Sequence, residues 1–177
     1  LAALNPLFPL APRPYHLCED SGVIGSIFYL MERRRGLVIR NQEPASVADR
    51  PEVRRRVSAA LVDALVGLHA IDVAGHGLSS LGKPGGFVER QVRGWTERWQ
   101  RSKIAEVPDM EAVANWLPPH IPGDSARPSV VHGDFKLDNV MLDASDPSRL
   151  TAVFDWEMCA LGDPLVDVGI LLAYWSR

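Results

Sequence analysis

At 177 residues, 46% hydrophobic and 23% charged, the chain has the length and make-up of a soluble globular protein with one sizeable core or parts of two lobes. Its formal net charge of −3 argues against a dedicated nucleic-acid binder, whose face would be basic. Two cysteines, Cys18 and Cys159, cannot build a framework of several disulfides and point to a reducing, cytoplasmic setting; the longest apolar run, Val168 to Trp175, is far too short to span a bilayer.

In chain order, the opening Leu1 to Pro6 has neither a start methionine nor a charged signal-peptide region, so the chain is expected to begin inside a longer protein. Pro6, Pro9, Pro12 and Pro14 predict an extended first stretch. Ile27 to Glu32 is β-branched and aromatic and reads as a buried strand. It ends in the basic turn Arg33 to Gly36, with a further short strand at Leu37 to Ile39. Pro51 to about Ile71 is the clearest helix, with Val57, Leu61, Leu65 and Leu68 on one face and Pro51 in its first turn. After a glycine-punctuated loop, Phe87 to Arg101 carries Val88, Val92, Trp95 and Trp99 at helical steps. That stripe reads first as core and second as the wall of an apolar substrate pocket.

Met110 to Leu117 is expected to form a third helix, stopped by Pro118 and Pro119. Short strands are expected at Ser129 to Val131, Val140 to Leu142 and Leu150 to Phe154. Asp163 followed by Pro164 then caps an apolar helix running to the end of the chain. No internal repeat or low-complexity segment is present.

The chemistry concentrates in His132-Gly133-Asp134, Asn139 five residues on, and Asp155 closing a hydrophobic run. Asp134, in a loop after a strand, can reach an acceptor hydroxyl and take its proton. Asn139 and Asp155 supply hard oxygens of the kind that hold Mg²⁺ against the phosphates of ATP. Taken singly, each residue has a plainer reading as a turn or cap. In this order, with apolar strands between them, they point to metal-assisted phosphoryl transfer. Lys136 can steady a transferring phosphate by charge or lie in solvent, and both readings stand. His132 is expected to brace the loop, and His69 to be a satisfied packing residue. Arg54 to Arg56 reads as a solvated helix face.

These motifs resemble the catalytic loop and metal-binding strand of the aminoglycoside phosphotransferase family, which shares the protein-kinase fold. The likeness extends through Phe28 to Arg33, Leu68 to Asp72, Gln91 to Trp95 and Leu161 to Asp167. It resembles a subgroup that includes the phosphotransferase domain of acyl-CoA dehydrogenase family members ten and eleven. The resemblance implies an α+β kinase-like fold, residues 1–40 forming the end of a small lobe and its hinge, and residues 41–177 forming a mainly helical large lobe. It implies Asp134 as catalytic base, Asn139 and Asp155 as magnesium ligands, and Asp167 as a support for the loop backbone. Met31 would line the adenine pocket with backbone groups of Glu32 and Arg34 bonding the base; the alternative is that Met31 is core and the arginines solvated.

The implied activity is ATP- and Mg²⁺-dependent phosphorylation of a small-molecule hydroxyl, first a 4-hydroxyacyl-CoA, with fusion to or cooperation with an acyl-CoA dehydrogenase. Competing readings are an aminoglycoside or other small-alcohol kinase, a non-catalytic nucleotide-binding module, and a metal-dependent hydrolase, for which clustered histidines are too few. No glycine-rich loop precedes Phe28 and no lysine precedes Lys83. A chain cut at both ends, impaired as an enzyme and rich in exposed apolar surface, is therefore expected.

Overall fold

The apolar stripe of the first long helix organises the packing. In a computed structural model, which describes residues 1–40 and 42–175, α1 spans Pro51–His69 and buries Val53, Val57, Leu61, Ala64, Leu65 and Leu68. Leu61 and Leu68 are wholly enclosed. Each contributes about 1.5–3 kcal/mol by leaving water. Pro51 sits in the first turn, where its missing N–H costs nothing.

The described residues form three two-stranded antiparallel sheets. Strand β1 (Pro14–Cys18) pairs with β2 (Phe28–Met31), β3 (Ser129–Val131) with β6 (Ala160–Gly162), and β4 (Val140–Leu142) with β5 (Leu150–Val153). Helix α1 packs on β3 and β5, and Val130, Val153 and, from β4, Val140 and Leu142 join its core. Helices α2 (Phe87–Ser102) and α3 (Pro108–Trp116) lie side by side, tied by Glu111, which accepts from Trp99 Nε1 at 3.0 Å, Gln100 Nε2 at 2.9 Å and Lys103 Nζ at 2.9 Å. Phe87 anchors α2 on β6 by lying where a side chain at Gly162 would have to go; a Cβ there would sit 2.4 Å from the ring. Helix α4 (Leu165–Trp175) follows β6, and the Asp163 carboxylate accepts the Leu165 N–H at 2.9 Å. Among the described residues, no helix is long and apolar enough to cross a membrane.

The structure corrects four expectations. The first ten residues are coiled in turns rather than extended, with Phe8 N–H donating to Leu4 C=O at 2.9 Å. Leu4, Phe8 and Ala11 reach the core because Pro6 and Pro9 sit inside these turns at positions where no N–H is needed, the closing bonds being donated by Leu7, Phe8 and Ala11. The strand at Phe28–Met31 is not buried: Tyr29, Leu30 and Met31 are 53%, 54% and 41% exposed, and among the described residues its one strand partner is β1. Leu37 makes one bridge to Leu142 and starts no strand. The Trp95 and Trp99 stripe is not core either. Only Phe87 of α2 is buried, and Trp95 is 51% exposed beside an open groove. The expected helix at the chain end is seen to Trp175; Ser176 and Arg177 lie outside the described residues.

Candidate active site

The loop from His132 to Asn139 connects β3 to the short turn Leu137–Asn139 that leads into β4. It has no ladder of its own and is held from behind. Asp167, fully buried on α4, accepts the His132 N–H through Oδ2 and the Gly133 N–H through Oδ1, both at 2.8 Å. Its Oδ2 also meets His69 Nε2, at the end of α1, at 2.9 Å. A buried carboxylate with three donors is compensated for desolvation; without them it would not be tolerated. Gly133 adopts φ +82, and a Cβ there would lie 2.7 Å from the Met158 carbonyl oxygen. Glycine is required at this bend both by conformation and by close approach.

His132 is buried under Trp156, ring centroids 4.6 Å apart, and beside Phe135 at 5.8 Å. Its Nε2 lies 2.8 Å from the Phe154 carbonyl, to which it donates, leaving Nδ1 to accept the Asp134 N–H at 3.2 Å. That pairing requires the neutral imidazole. Burial in turn pushes the His132 pKa down, more strongly than the Phe154 carbonyl and nearby carboxylates push it up. The Phe154 N–H donates to the Asn139 carbonyl at 2.8 Å. Both backbone groups of Phe154 are therefore tied to the loop, and the next residue is Asp155.

Asp134 faces a set of donors. Lys136 Nζ contacts both its oxygens, at 2.9 and 2.7 Å, and Asn139 Nδ2 donates to Oδ2 and to the Asp134 carbonyl, each at 2.9 Å. Hydrogen bonding to Asp134 raises the Lys136 pKa, so the ammonium stays charged. Because Asn139 spends its amide N–H groups on Asp134, its Oδ1 is the atom left for a cation. Asp155 stands exposed just past β5 with φ +65, in the left-handed region that few non-glycine residues adopt.

A cleft of about 620 Å³ runs between the β1–β2 hairpin and Asp155, Trp156 and Glu157, with Tyr15, Leu17 and Tyr29 on its hairpin side. Met31 is exposed on the hairpin outside that lining. The Glu32 N–H donates to Arg13 C=O at 2.8 Å, continuing the β1–β2 pairing. Arg34 ties the segment to the larger body, through Thr151 C=O at 3.2 Å and Pro9 C=O at 2.9 Å, and pairs with Glu32 at 2.9 Å. Among the described residues, no group of three or more His, Cys, Asp or Glu side chains converges to hold a metal. The donors on offer, one amide oxygen and one carboxylate, fit a magnesium ion that fills its shell with phosphate oxygens and water; they do not fit zinc.

Three parts of this arrangement had no clear signal in the sequence. The His69–Asp167 pair joins residues 98 positions apart. The direction of Lys136 is set by its partner, not by its neighbours. Tyr174, whose ring lies under Lys136, sits in an apolar helix that gives it no distinction.

An α+β body, a loop pinned by a buried aspartate and a second aspartate beside an open cleft agree with the kinase-like phosphotransferase class that the comparisons show. The profile of the phosphotransferase enzyme family (APH) matches residues 1–177, and the chain belongs to that family. Over 165 residues it is 38% identical to mouse acyl-CoA dehydrogenase family member 10, covering 93% of this chain and 15% of that protein. It is 35% identical to rat acyl-CoA dehydrogenase family member 11 over 172 residues, covering 96% and 22% respectively. A solved Ralstonia eutropha structure described as of aminoglycoside phosphotransferase type superposes with a TM-score of 0.83 at 36% identity, over 99% of this chain and 53% of that one. The chain therefore spans about a fifth of these curated relatives and about half of the solved one.

Proposed function

We propose that this chain carries the catalytic centre of an ATP-dependent kinase that phosphorylates a small-molecule hydroxyl, with Asp134 as the base. The observation that supports the reading is the double tie of Phe154, the residue before Asp155, to His132 and Asn139 of the loop. Asp134 takes the proton of the acceptor hydroxyl, whose oxygen forms a bond to the γ-phosphorus of ATP as the bond to the bridging oxygen of ADP breaks. Lys136 carries positive charge to the place where negative charge is transferred. Asn139 Oδ1 and the Asp155 carboxylate would hold Mg²⁺, which when bound neutralises the nucleotide phosphates. Met31, Glu32 and Arg34 are read as the adenine-binding segment, which runs on from the end of the hairpin just outside the lining of the cleft. The Glu32 carbonyl and the Arg34 N–H are its free backbone groups, taking no partner among the described residues. Residues 1–40 are read as the end of a small lobe and 41–177 as a large lobe.

For the acceptor we favour a 4-hydroxyacyl-CoA over an aminoglycoside. The support is the 38% identity to a protein named as an acyl-CoA dehydrogenase family member, together with a groove of about 270 Å³ between α2 and α3. Trp95, Trp99, Val113 and Val166 line that groove, a surface suited to hydrocarbon and ill suited to a polycation. An acyl-CoA dehydrogenase, in the same chain or another, would be the working partner, and two free thiols fit a cytoplasmic setting.

The test is phosphoester formation from ATP with 4-hydroxydecanoyl-CoA and with kanamycin as competing acceptors, read by mass spectrometry. The expected result is a phosphorylated acyl-CoA whose formation falls about 10²- to 10⁴-fold in Asp134→Asn. Product from kanamycin alone would reassign the acceptor, and undiminished turnover in Asp134→Asn would remove the proposed base.

A further inference from the structure

We propose that Tyr174 is a positioning residue for the catalytic loop: from α4, its ring holds the Lys136 ammonium on the Asp134 carboxylate. The inference rests on the phosphotransfer reading above, but its geometry stands apart from it. Asp167 and Tyr174 are seven residues apart on α4, two helical turns and so on the same face, separated by about 10 Å along the axis. Asp167 grips the near end of the loop through the His132 and Gly133 N–H groups. Tyr174 reaches the far end, with Lys136 Nζ 5.1 Å from its ring centroid, inside the range where a ring face attracts a cation. The same ammonium is 2.7 Å from Asp134 Oδ2. One helix face thus fixes both the backbone that precedes the base and the cation that lies on it.

A lysine has four rotatable bonds, and ordering it is entropically costly. An ion pair to Asp134 on a partly open surface does not by itself confine such a chain. The ring supplies a second attraction that narrows the choice, leaving the Lys136 side chain 19% exposed. Tyr174 itself is 47% exposed, so it contributes little to the core, and its replacement probes position more than stability.

Three variants decide the matter: Tyr174→Leu, which removes the ring, Tyr174→Phe, which keeps it, and Lys136→Met, which removes the cation. The first readout is NMR of the lysine ε-methylene groups in the unliganded protein. The chain's lysines are Lys83, Lys103 and Lys136, and Lys136→Met assigns the last. A ring-shifted Lys136 resonance is expected in the parent and in Tyr174→Phe, returning to the position of a free lysine in Tyr174→Leu. The second readout is steady-state turnover of Mg·ATP and acceptor. In Tyr174→Leu, kcat is expected to fall about 3- to 20-fold with KM for ATP within about 2-fold, and Tyr174→Phe to recover most of the loss.

An unchanged Lys136 resonance in Tyr174→Leu overturns the proposal, as does a Tyr174→Phe variant as impaired as Tyr174→Leu. A lost resonance with unaltered kcat also overturns it. If no acceptor is phosphorylated by the parent, the functional reading fails on its own. The resonance then still decides whether Tyr174 holds Lys136 in place.

Discussion

The β1–β2 hairpin and the loop from His132 to Asn139 are both irregular in sequence, yet they are ordered by opposite means. The hairpin is held by a backbone ladder and leaves Tyr15, Leu17, Tyr29 and Leu30 more than half exposed. The loop has no ladder and is held by side chains: Asp167 and His132 from behind, Asn139 and Lys136 in front. A ladder tolerates many side chains, because its bonds are made by groups every residue carries. A loop fixed by side chains tolerates few, and that intolerance holds the Asp134 carboxylate in one position.

The widest gap between the two regions should appear in stability. Asp167→Ala leaves two buried N–H groups and a histidine without their acceptor and is expected to cost about 3–5 kcal/mol. Leu30→Thr on the exposed hairpin face should change stability by less than about 0.5 kcal/mol. Urea midpoints of the two variants measure the difference, and comparable losses would break the contrast.

Between pH 7.5 and 5.5 acid should act on the loop through His132. His132 is held neutral by burial, its pKa below the ordinary value. The unfolded chain then binds a proton that the folded chain refuses. Stability is complete above about pH 6.5 and declines as the pH falls below that value toward the lowered folded one. Thermal melts from pH 7.5 to 5.5 should show this fall, and His132→Asn should flatten it. A slope that persists in the variant would assign the acid sensitivity elsewhere.

The smallest effect is one of reactivity. Burial pushes the Cys159 thiol up to about 11, so at pH 8 only about 0.1% is thiolate, the form that reacts. Cys18, at the end of β1, is half-buried on a strand whose middle residues are exposed. Iodoacetamide under native conditions should label Cys18 first and Cys159 only after unfolding. Equal rates would show that the region beside the loop opens as readily as the hairpin.

Much of the architecture was legible before any coordinates. The α1 stripe, Pro51 in its first turn, the short strands around His132 and the cap at Asp163 all follow from periodicity or from the stereochemistry of proline and aspartate. These signals are complete within a few residues of chain. The order Asp134, Asn139, Asp155 was legible for the same reason, because the loop and the strand that carry them are close in sequence.

Exposure and pairing were not legible in that way. Ile27 to Glu32 has the composition of a buried strand, but whether a strand is covered depends on what other segments lie over it, and among the described residues Tyr29 and Leu30 stay more than half exposed. The tryptophans of α2 have the spacing of a core and line an open groove. Lys136 could have faced solvent; Asp134 and the ring of Tyr174 decide that it does not. His69 meets Asp167 only because α1 and α4 are brought together by packing. By itself the sequence determined the helices, the turns and the inventory of reactive groups, since those depend on local geometry and residue chemistry. Tertiary structure alone decided which apolar faces are covered and which charges meet, because both depend on contacts between segments far apart along the chain.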